Sequence, residues 1–453
     1  MIFALPLKKS RLSARFSLMM LISLMVMGLS ALSISMAQDE AESDDADGST
    51  PRILEMLALV PDNPAFTQED LIGFSDFRAQ AATRSGTQDY DSWEDFQAAR
   101  EAEDPAARLL LNSWGMSGLP NIMNYLHSAG SDIPEMVGFD FFDIDAAMSF
   151  GRPPNQVHLY QGDFNARLIN AALTSNGYTA KRLDGFSYWC AEAGCDTGSR
   201  VNPADRNLAN LFGGDLGRRF PVALLDSYIA ASPNDANVET IAEVYQNPED
   251  SLAANPIYQT AVSAMYDTLP PTADSDQPLL RQAYFIPAHH VMVSDPTAMA
   301  ALTSPEEVEK LREQLESMET TSIPLYQLAA FSDFGNSSYQ YAQVVLVYGL
   351  KADAEAAVEI IPKRIGSMTS LVTRQPLAQM FEDRGAELLT PVVYHDEDAG
   401  RYAAVFTFRY PAASEEPDEI GFVPSSGMVY RLLTDALMRR DTLWLSPLIE
   451  LPE

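Results

Sequence analysis

The sequence has little positive charge for its length. Its 453 residues include 30 Lys and Arg against 63 Asp and Glu, which gives a net charge of −33. A surface of that sign repels nucleic acids and anionic lipid headgroups, so we expect no nucleic-acid partner. The charge is otherwise typical of a soluble protein outside the cell, or of one that attracts cations and basic partners.

Signatures of catalysis are also missing. The chain has no Gly-x-Ser-x-Gly, no His-Glu-x-x-His and no Ser-x-x-Lys with its companion motifs. A catalytic triad can be assembled from distant residues without a motif, so an enzyme stays as the alternative. We expect an exported, non-catalytic envelope or extracellular protein that binds a partner protein or a small ligand. The alternative is an extracytoplasmic hydrolase, and no catalytic residue, cofactor or metal ligand is assigned.

The N-terminus carries the most informative pattern in the chain. Four basic residues precede an uncharged, mostly apolar run over residues 16–36, and a small-x-small site ends at Ala37. These features together are typical of an export signal. The run is long enough for a retained anchor, but its serines and Gly28 favour cleavage after Ala37. Both forms place the remaining chain outside the cytoplasm, with membrane contact through residues 16–36 if the segment is uncleaved.

Cysteine is nearly absent, and Cys190 and Cys195 are the whole complement. In an exported protein such a pair is expected to form a disulfide. Free thiols and half of a zinc site are the alternatives, although no second cysteine pair exists to complete a zinc site. No cysteine lies near the apolar run, so lipid attachment to a processed N-terminal cysteine is excluded.

Helix and strand patterns alternate along the chain and predict an α+β fold. We expect two mixed-sheet modules with helical insertions, after a signal peptide or anchor over residues 1–37 and an acidic linker over residues 38–50. The Pro-containing stretch 269–278 is the best internal boundary. It separates a first module, residues 51–270, from a second, residues 271–453, and a ligand held between the two would lie at this junction.

Two short motifs recur and suggest an internal duplication. Phe74-Ser-Asp-Phe77 returns as Phe331-Ser-Asp-Phe334, and Gln156-Val-x-Leu-x-x-Gly162 returns as Gln343-Val-x-Leu-x-x-Gly349. A helix is expected after the second motif in each half, so each half would be a strand–helix–strand module. The spacing between the motifs differs greatly between the halves, and chance recurrence is the alternative.

One part of the first module resembles a known pattern. The segment from Gln156 to Trp189 combines a strand, a Gly-Asp turn and a helix ending in Gly-Tyr, and Ile229–Pro233 and Ser251–Tyr258 follow it. In these features the chain resembles uncharacterised exported bacterial proteins of unknown function, over roughly a quarter of its length. The resemblance implies export, and it carries no activity and no site residues.

A Gly-rich segment with adjacent cations is the candidate ligand site. Gly213, Gly214, Gly217, Arg218 and Arg219 lie within seven positions. Backbone N–H groups and two guanidinium groups can bind a phosphate, a sulfate or a carboxylate. The segment lacks both the phosphate-loop lysine and the dinucleotide glycine spacing. Ordinary loop charges in an acidic protein are the alternative interpretation.

Two further clusters have structural interpretations. His289 and His290 fall in a predicted strand, where neighbouring side chains point to opposite faces, so they are not expected to share a metal. Asp140, Asp143 and Asp145 lack the calcium-loop pattern, and Asp143 or Asp145 is expected to cap a helix that starts there.

Aromatic residues on a predicted strand over residues 401–410 are expected to share one face. Core packing is the main interpretation, and a platform for a sugar or a peptide is the alternative. The residues are Tyr402, Phe406, Phe408 and Tyr410.

Overall fold

The computed structural model describes most of the chain from Thr50 onward. The first of its two units, Met1–Pro51, holds only two described residues, so the predicted export signal and nearly all of the acidic linker lie outside them. The second unit, Arg52–Glu453, carries the sheet and the helices. No helix among the described residues is both long and apolar enough to cross a membrane. The described residues are 50–67, 71–83, 90–104, 107, 129–183, 186–191, 194–195, 201–272, 277–291, 304–318, 322–412 and 426–447.

The helices form where the sequence supplies caps. Asn165, Asn234 and Asn255 each accept hydrogen bonds from backbone N–H groups in the first turn of the helix that follows. The described α-helices are α1 Arg52–Leu57, α2 Pro64–Thr67, α3 Phe77–Ala82, α4 Trp93–Glu101, α5 Ile133–Val137, α6 Ala166–Ser175, α7 Asp235–Gln246, α8 Pro256–Asp267, α9 Ala288–Val291, α10 Pro305–Met318, α11 Lys351–Ser367, α12 Leu377–Glu382 and α13 Met428–Met438.

Thirteen strands in the described part of the chain form one sheet. Its order is β11-β13-β10-β9-β8-β1-β2-β3-β7-β6-β5-β4, and β12 also pairs with β13. The strands are β1 Ile72–Asp76, β2 Ile144–Phe150, β3 Val157–Gly162, β4 Tyr178–Leu183, β5 Phe186–Ala191, β6 Val222–Leu225, β7 Tyr228–Ala231, β8 Leu279–Pro287, β9 Leu328–Gly335, β10 Tyr339–Tyr348, β11 Glu387–Leu388, β12 Val392–Asp396 and β13 Arg401–Pro411. Helices together with a large sheet confirm the predicted α+β class.

Every ladder between the described strands is antiparallel, so the prediction of a mixed sheet is wrong. The expected strand–helix–strand unit does form, because α6 connects β3 to β4. However, β7, β6 and β5 lie between those two strands in the sheet. The intervening strands pair antiparallel with their neighbours and replace the parallel contact that the unit would otherwise make.

Helices cover both faces of the sheet and bury it in three layers. One face packs against α1, α7 and α8 in a cluster that includes Phe74, Met148 and Phe285. The opposite face is covered by two clusters, one under α11 to α13 and one around α4 to α6. β9 is buried along its whole length as a result. Phe406, Phe408 and Tyr410 on β13 are buried with α11 to α13, which confirms the core interpretation of that strand face.

A buried ion pair joins the strands at the middle of the sheet. Arg281 on β8 donates from Nη2 to Asp333 Oδ1 on β9 at 2.6 Å, and both side chains are at most 2% exposed. The same guanidinium donates to Gln340 Oε1 on β10 at 2.9 Å and to Ser426 Oγ, before α13, at 3.0 Å. Tyr410 on β13 donates its hydroxyl to the same carboxylate at 3.2 Å. Four strands and the start of α13 therefore meet at one charge pair.

The acidic cluster near residue 140 starts a strand, so the helix predicted at Asp143 or Asp145 is wrong. Asp140 and Asp143 form a capping box around a 3₁₀ turn over Phe141–Asp143, and β2 begins at Ile144. Asp145 forms an ion pair with Arg78 at 2.5 Å. Asp140 and Asp143 thus cap a 3₁₀ turn instead of the predicted helix, because β-branched Ile144 and the apolar residues after it continue as a strand in the sheet.

The two adjacent histidines lie in a helix, so the predicted opposite orientation of their side chains is wrong. His289 and His290 belong to α9, which follows directly after β8. Their ring centroids are 4.2 Å apart. No group of three His, Cys, Asp or Glu residues in the described part of the chain is arranged to hold a metal ion.

The sheet runs without a break across the boundary predicted at residues 269–278. β1 from the first predicted module pairs with β8 from the second. The recurring motifs also differ in setting, because Asp76 ends β1 and caps α3 whereas Asp333 lies inside β9. The duplication is not confirmed, and the division into two modules stays a prediction.

Removal of Asp333 tests how much the buried ion pair stabilises the fold. Asp333→Ala leaves the Arg281 guanidinium buried without its counter-charge, so the free energy of unfolding should fall by about 3–5 kcal/mol. Urea denaturation measures the loss. Glu387→Ala is the matched control, because it breaks an exposed pair with Arg409 that has a similar distance of 2.8 Å, and it should cost far less. Equal losses in the two variants would contradict the account.

Candidate functional site

A pocket opens where the pairing of β5 with β6 stops. These two strands share only two residue pairs, Tyr188 with Ala223 and Trp189 with Val222. Beyond Trp189, β5 continues to Ala191 and pairs with β4 alone. The chain that leads into β6 comes from the Gly-rich segment, residues 213–219. The pocket is the gap between these two stretches of chain.

The pocket has a volume of about 640 Å³, a size that accommodates a small molecule. Ala191 and Gly194 line one side, and both lie within the loop that the disulfide closes. Gly214, Gly217, Arg218 and Arg219 line another side, so four of the five predicted site residues contribute. The fifth, Gly213, precedes them and shapes their turn.

Glycine is required in the turn because of its backbone conformation. Gly213 and Gly217 have φ values of 85° and 66°, and they flank a 3₁₀ turn over Gly214–Leu216. A side chain at either position would be strained, since L residues other than glycine avoid this left-handed region. Gly217 also packs against the carbonyl oxygen of Asn202, where a Cβ would overlap. The segment therefore forms a tight, preorganised wall.

Three asparagines brace this wall from behind, and all three line the pocket. The backbone N–H groups of Asn202 and Asn207 donate to the carbonyls of Leu216 and Gly214, each at 2.9 Å. Asn210 donates from Nδ2 to the carbonyl of Arg218 at 3.3 Å. Their polar groups are thus largely committed to the fold, and we assign the asparagines a scaffolding role.

The two arginines have different environments. Arg218 is buried, its Nη2 donates to the carbonyl of Pro233 at 3.3 Å, and its guanidinium lies 4.9 Å from the centre of the Phe220 ring. Arg219 is exposed, and no carboxylate among the described residues forms an ion pair with it. Its Nη1 lies over Gly177, at 2.8 Å from the position that a Cβ there would occupy. Arg219 is therefore the cation available to a ligand.

The local charge differs from that of the whole chain. Residues 178–220 contain six basic and five acidic residues, a net charge of +1 within a chain of −33. A segment of this composition repels an anion less than the strongly acidic remainder of the chain does. The pocket lining itself contains two arginines, Arg218 and Arg219, and one carboxylate, Asp205, which accepts a hydrogen bond from Asn202 Nδ2.

The disulfide prediction is confirmed, since Cys190 and Cys195 are bonded. Sequence reasoning missed that this disulfide loop lies beside the Gly-rich segment, although the short distance between them along the chain was a usable signal. Met136, which comes from α5, also lines the pocket, and only tertiary packing places it there. The pocket lies within the first predicted module, and its lining includes no residue of the junction 269–278.

A serine and a histidine do meet, but the contact has a structural setting. Ser149 Oγ lies 2.9 Å from His158 Nδ1 across the β2–β3 ladder. His158 is buried and stacks on Phe220, with ring centroids 6.5 Å apart. No carboxylate in the described part of the chain hydrogen-bonds to this imidazole. A nucleophile–base pair needs such an orienting group and access to substrate, so this contact does not favour the hydrolase alternative.

Comparisons with known proteins yield little. No family model matches the chain, and no curated protein matches it. Among solved structures, the chain is similar to one described as crystal form I of the protein TP0453, with 10% identity and a TM-score of 0.30. The alignment covers 81% of this chain and 94% of the other. A similarity of this strength carries no argument about fold or function, so only the pocket itself bears on function.

The buried imidazole predicts an acid-sensitive fold. Burial lowers the pKa of His158 from 6.5 to about 4, so the folded state keeps it neutral where the unfolded chain takes up a proton. The free energy of unfolding should therefore fall as the pH drops from about 6.5 to 4. The contribution of His158 to this fall is up to about 3 kcal/mol, and it does not grow further below pH 4. Denaturation of the wild type and of His158→Asn at several pH values measures this contribution. An identical pH dependence in both proteins would contradict it.

Proposed function

We propose that this chain is an exported, non-catalytic protein that binds a small anionic ligand in the pocket between the disulfide loop and the Gly-rich segment. The observation that carries the proposal is the exposed guanidinium of Arg219, which has no described carboxylate partner at the rim of a cavity of about 640 Å³.

The chemistry of the pocket supports an anion of small size. A guanidinium offers donors in a planar fork that matches the geometry of a carboxylate or a phosphate. The glycines allow the ligand to approach the backbone closely, and the bracing asparagines fix the wall before binding, which reduces the entropy lost on association. Met136 and Ala191 add apolar contact for the remainder of the ligand.

Export is part of the proposal and is supported by the sequence of residues 1–37 and by the disulfide. The basic start, apolar run and small-x-small site are typical of a signal. Disulfides persist mainly in oxidising compartments, so the bonded cysteines agree with that destination. Cleavage would leave 26 basic against 63 acidic residues, a net charge of −37, and retention would tether the domain to the membrane instead.

Calorimetric titration with inorganic phosphate, sulfate, gluconate and sorbitol tests the ligand class. Gluconate and sorbitol share a carbon skeleton and differ in the carboxylate, so binding of gluconate without binding of sorbitol would identify the charge as the determinant. Arg219→Gln should weaken the binding of gluconate by about tenfold or more, because it removes a charge-assisted hydrogen bond.

Arg167→Gln is the matched control for this titration. Arg167 is an exposed arginine on α6 outside the pocket lining, so its replacement changes the net charge equally and should leave affinity nearly unchanged. Binding of none of the anions to the wild type, or equal affinities of wild type and Arg219→Gln, would refute the proposed ligand class.

N-terminal sequencing after expression in an exporting bacterial host tests the location. We expect the mature chain to start at Gln38 in the soluble extracytoplasmic fraction. An intact Met1 end in the membrane fraction would show that the segment is a retained anchor. Recovery from the cytoplasm with an intact end would contradict export.

A further inference from the structure

The disulfide is placed so that it can hold one wall of the pocket. Cys190 is fully buried on β5, and Cys195 is half-buried in the loop beyond the strand. Ala191 and Gly194, the described residues between them, both line the pocket. The N–H of Gly194 donates to the carbonyl of Ala191 at 2.9 Å, which closes a turn that the disulfide spans. The covalent bond thus fixes the loop against the end of β5.

In the described part of the chain, strand pairing gives this wall little support on the side of the pocket. Pairing of β5 with β6 ends at Trp189, so Ala191 has a ladder partner only on β4, namely Tyr178. β4 is itself the last strand of the sheet. Cys190 and Ala191 therefore pair only with an edge strand, and elements at the edge of a sheet open at a lower free energy than its core.

Accessibility and charge favour reaction at one of the two sulfur atoms. Cys195 is the more exposed cysteine, and Lys181 Nζ on β4 lies 2.9 Å from its Sγ. An ammonium group attracts an approaching thiolate, and thiol–disulfide exchange depends on access and on the attacking thiolate. Cys190, enclosed in the core, is shielded from direct attack.

We propose that reduction of the Cys190–Cys195 disulfide by a dithiol loosens this wall and releases the bound anion. The inference rests on the proposed function, because it concerns the same pocket. The thiolate of the reductant attacks Cys195 Sγ, the protein S–S bond breaks, and Cys190 leaves as a thiolate that takes up a proton. The second thiol of the reductant then displaces Cys195, so two electrons pass to the protein and the reductant becomes a disulfide. Ligand binding is thereby tied to an oxidising compartment.

Affinity for gluconate before and after treatment with dithiothreitol tests the inference. Reduction should weaken binding by about fivefold or more, within the usual range of coupling between two sites. Cys190→Ala/Cys195→Ala should bind as weakly as the reduced wild type, and dithiothreitol should not change its affinity. A reduced wild type that is folded by circular dichroism and binds gluconate as tightly as the oxidised protein would overturn the inference.

Hydrogen exchange without ligand separates this inference from the proposed function. Reduction should speed amide exchange at Ala191, Gly194 and Cys195 by roughly tenfold or more and leave β10 unchanged, even if gluconate proves not to bind. Absence of any change at Ala191, Gly194 and Cys195 would refute the loosening of this wall, whatever the titration shows. Faster exchange throughout the sheet, β10 included, would also refute it, since reduction would then unfold the domain instead of opening one wall.

Discussion

The buried pair between Arg281 and Asp333 is the interaction on which the sheet most depends. Strands in the middle of this sheet have helices on both faces, so a charge there has no access to water and must be paired. The guanidinium meets this requirement with acceptors on β9, β10 and the segment before α13. Because Arg281 lies 52 positions from Asp333 and 145 positions from Ser426, these contacts can form only when the strands are in register. The pair is therefore a determinant of register as well as of stability.

The candidate site lies near the β4 end of the sheet, where strand pairing is incomplete. There the β5–β6 ladder stops after two residue pairs, and the chain before β6 turns through glycines instead of continuing as a strand. The space left open is walled by a disulfide loop on one side and by an asparagine-braced turn on the other. Arg219 is exposed at the rim of the pocket, whereas Arg218 is buried and packs on the Phe220 ring. The Arg281–Asp333 ion pair stabilises the sheet, and the short β5–β6 ladder leaves the space that forms the pocket.

The sequence predicted local structure far better than long-range pairing. Helix starts such as the Asn165 cap and Pro305 at the beginning of α10 depend only on residues close in sequence. The two cysteines of the disulfide are likewise only five positions apart. The sheet was predicted as mixed because a strand–helix–strand unit suggests parallel neighbours. The strands between β3 and β4 are β5, which forms a hairpin with β4, and the β6–β7 hairpin over residues 222–231, and no local pattern predicts that these two hairpins pair with each other and with β3. Four of the five residues named in the Gly-rich segment line the pocket, and their role in ligand binding stays a prediction. Met136 reaches the pocket through tertiary packing alone.

Methyl NMR of methionine tests the central claim most directly, because Met136 lines the pocket while Met56 and Met148 are buried in the sheet core. The protein labelled at methionine methyl groups would be titrated with gluconate, and the Met136 signal would be assigned with Met136→Leu. The account predicts a saturable shift of the Met136 signal, with Met56 and Met148 unchanged. No shift of Met136, or equal shifts of all three signals, would contradict a ligand site in this pocket.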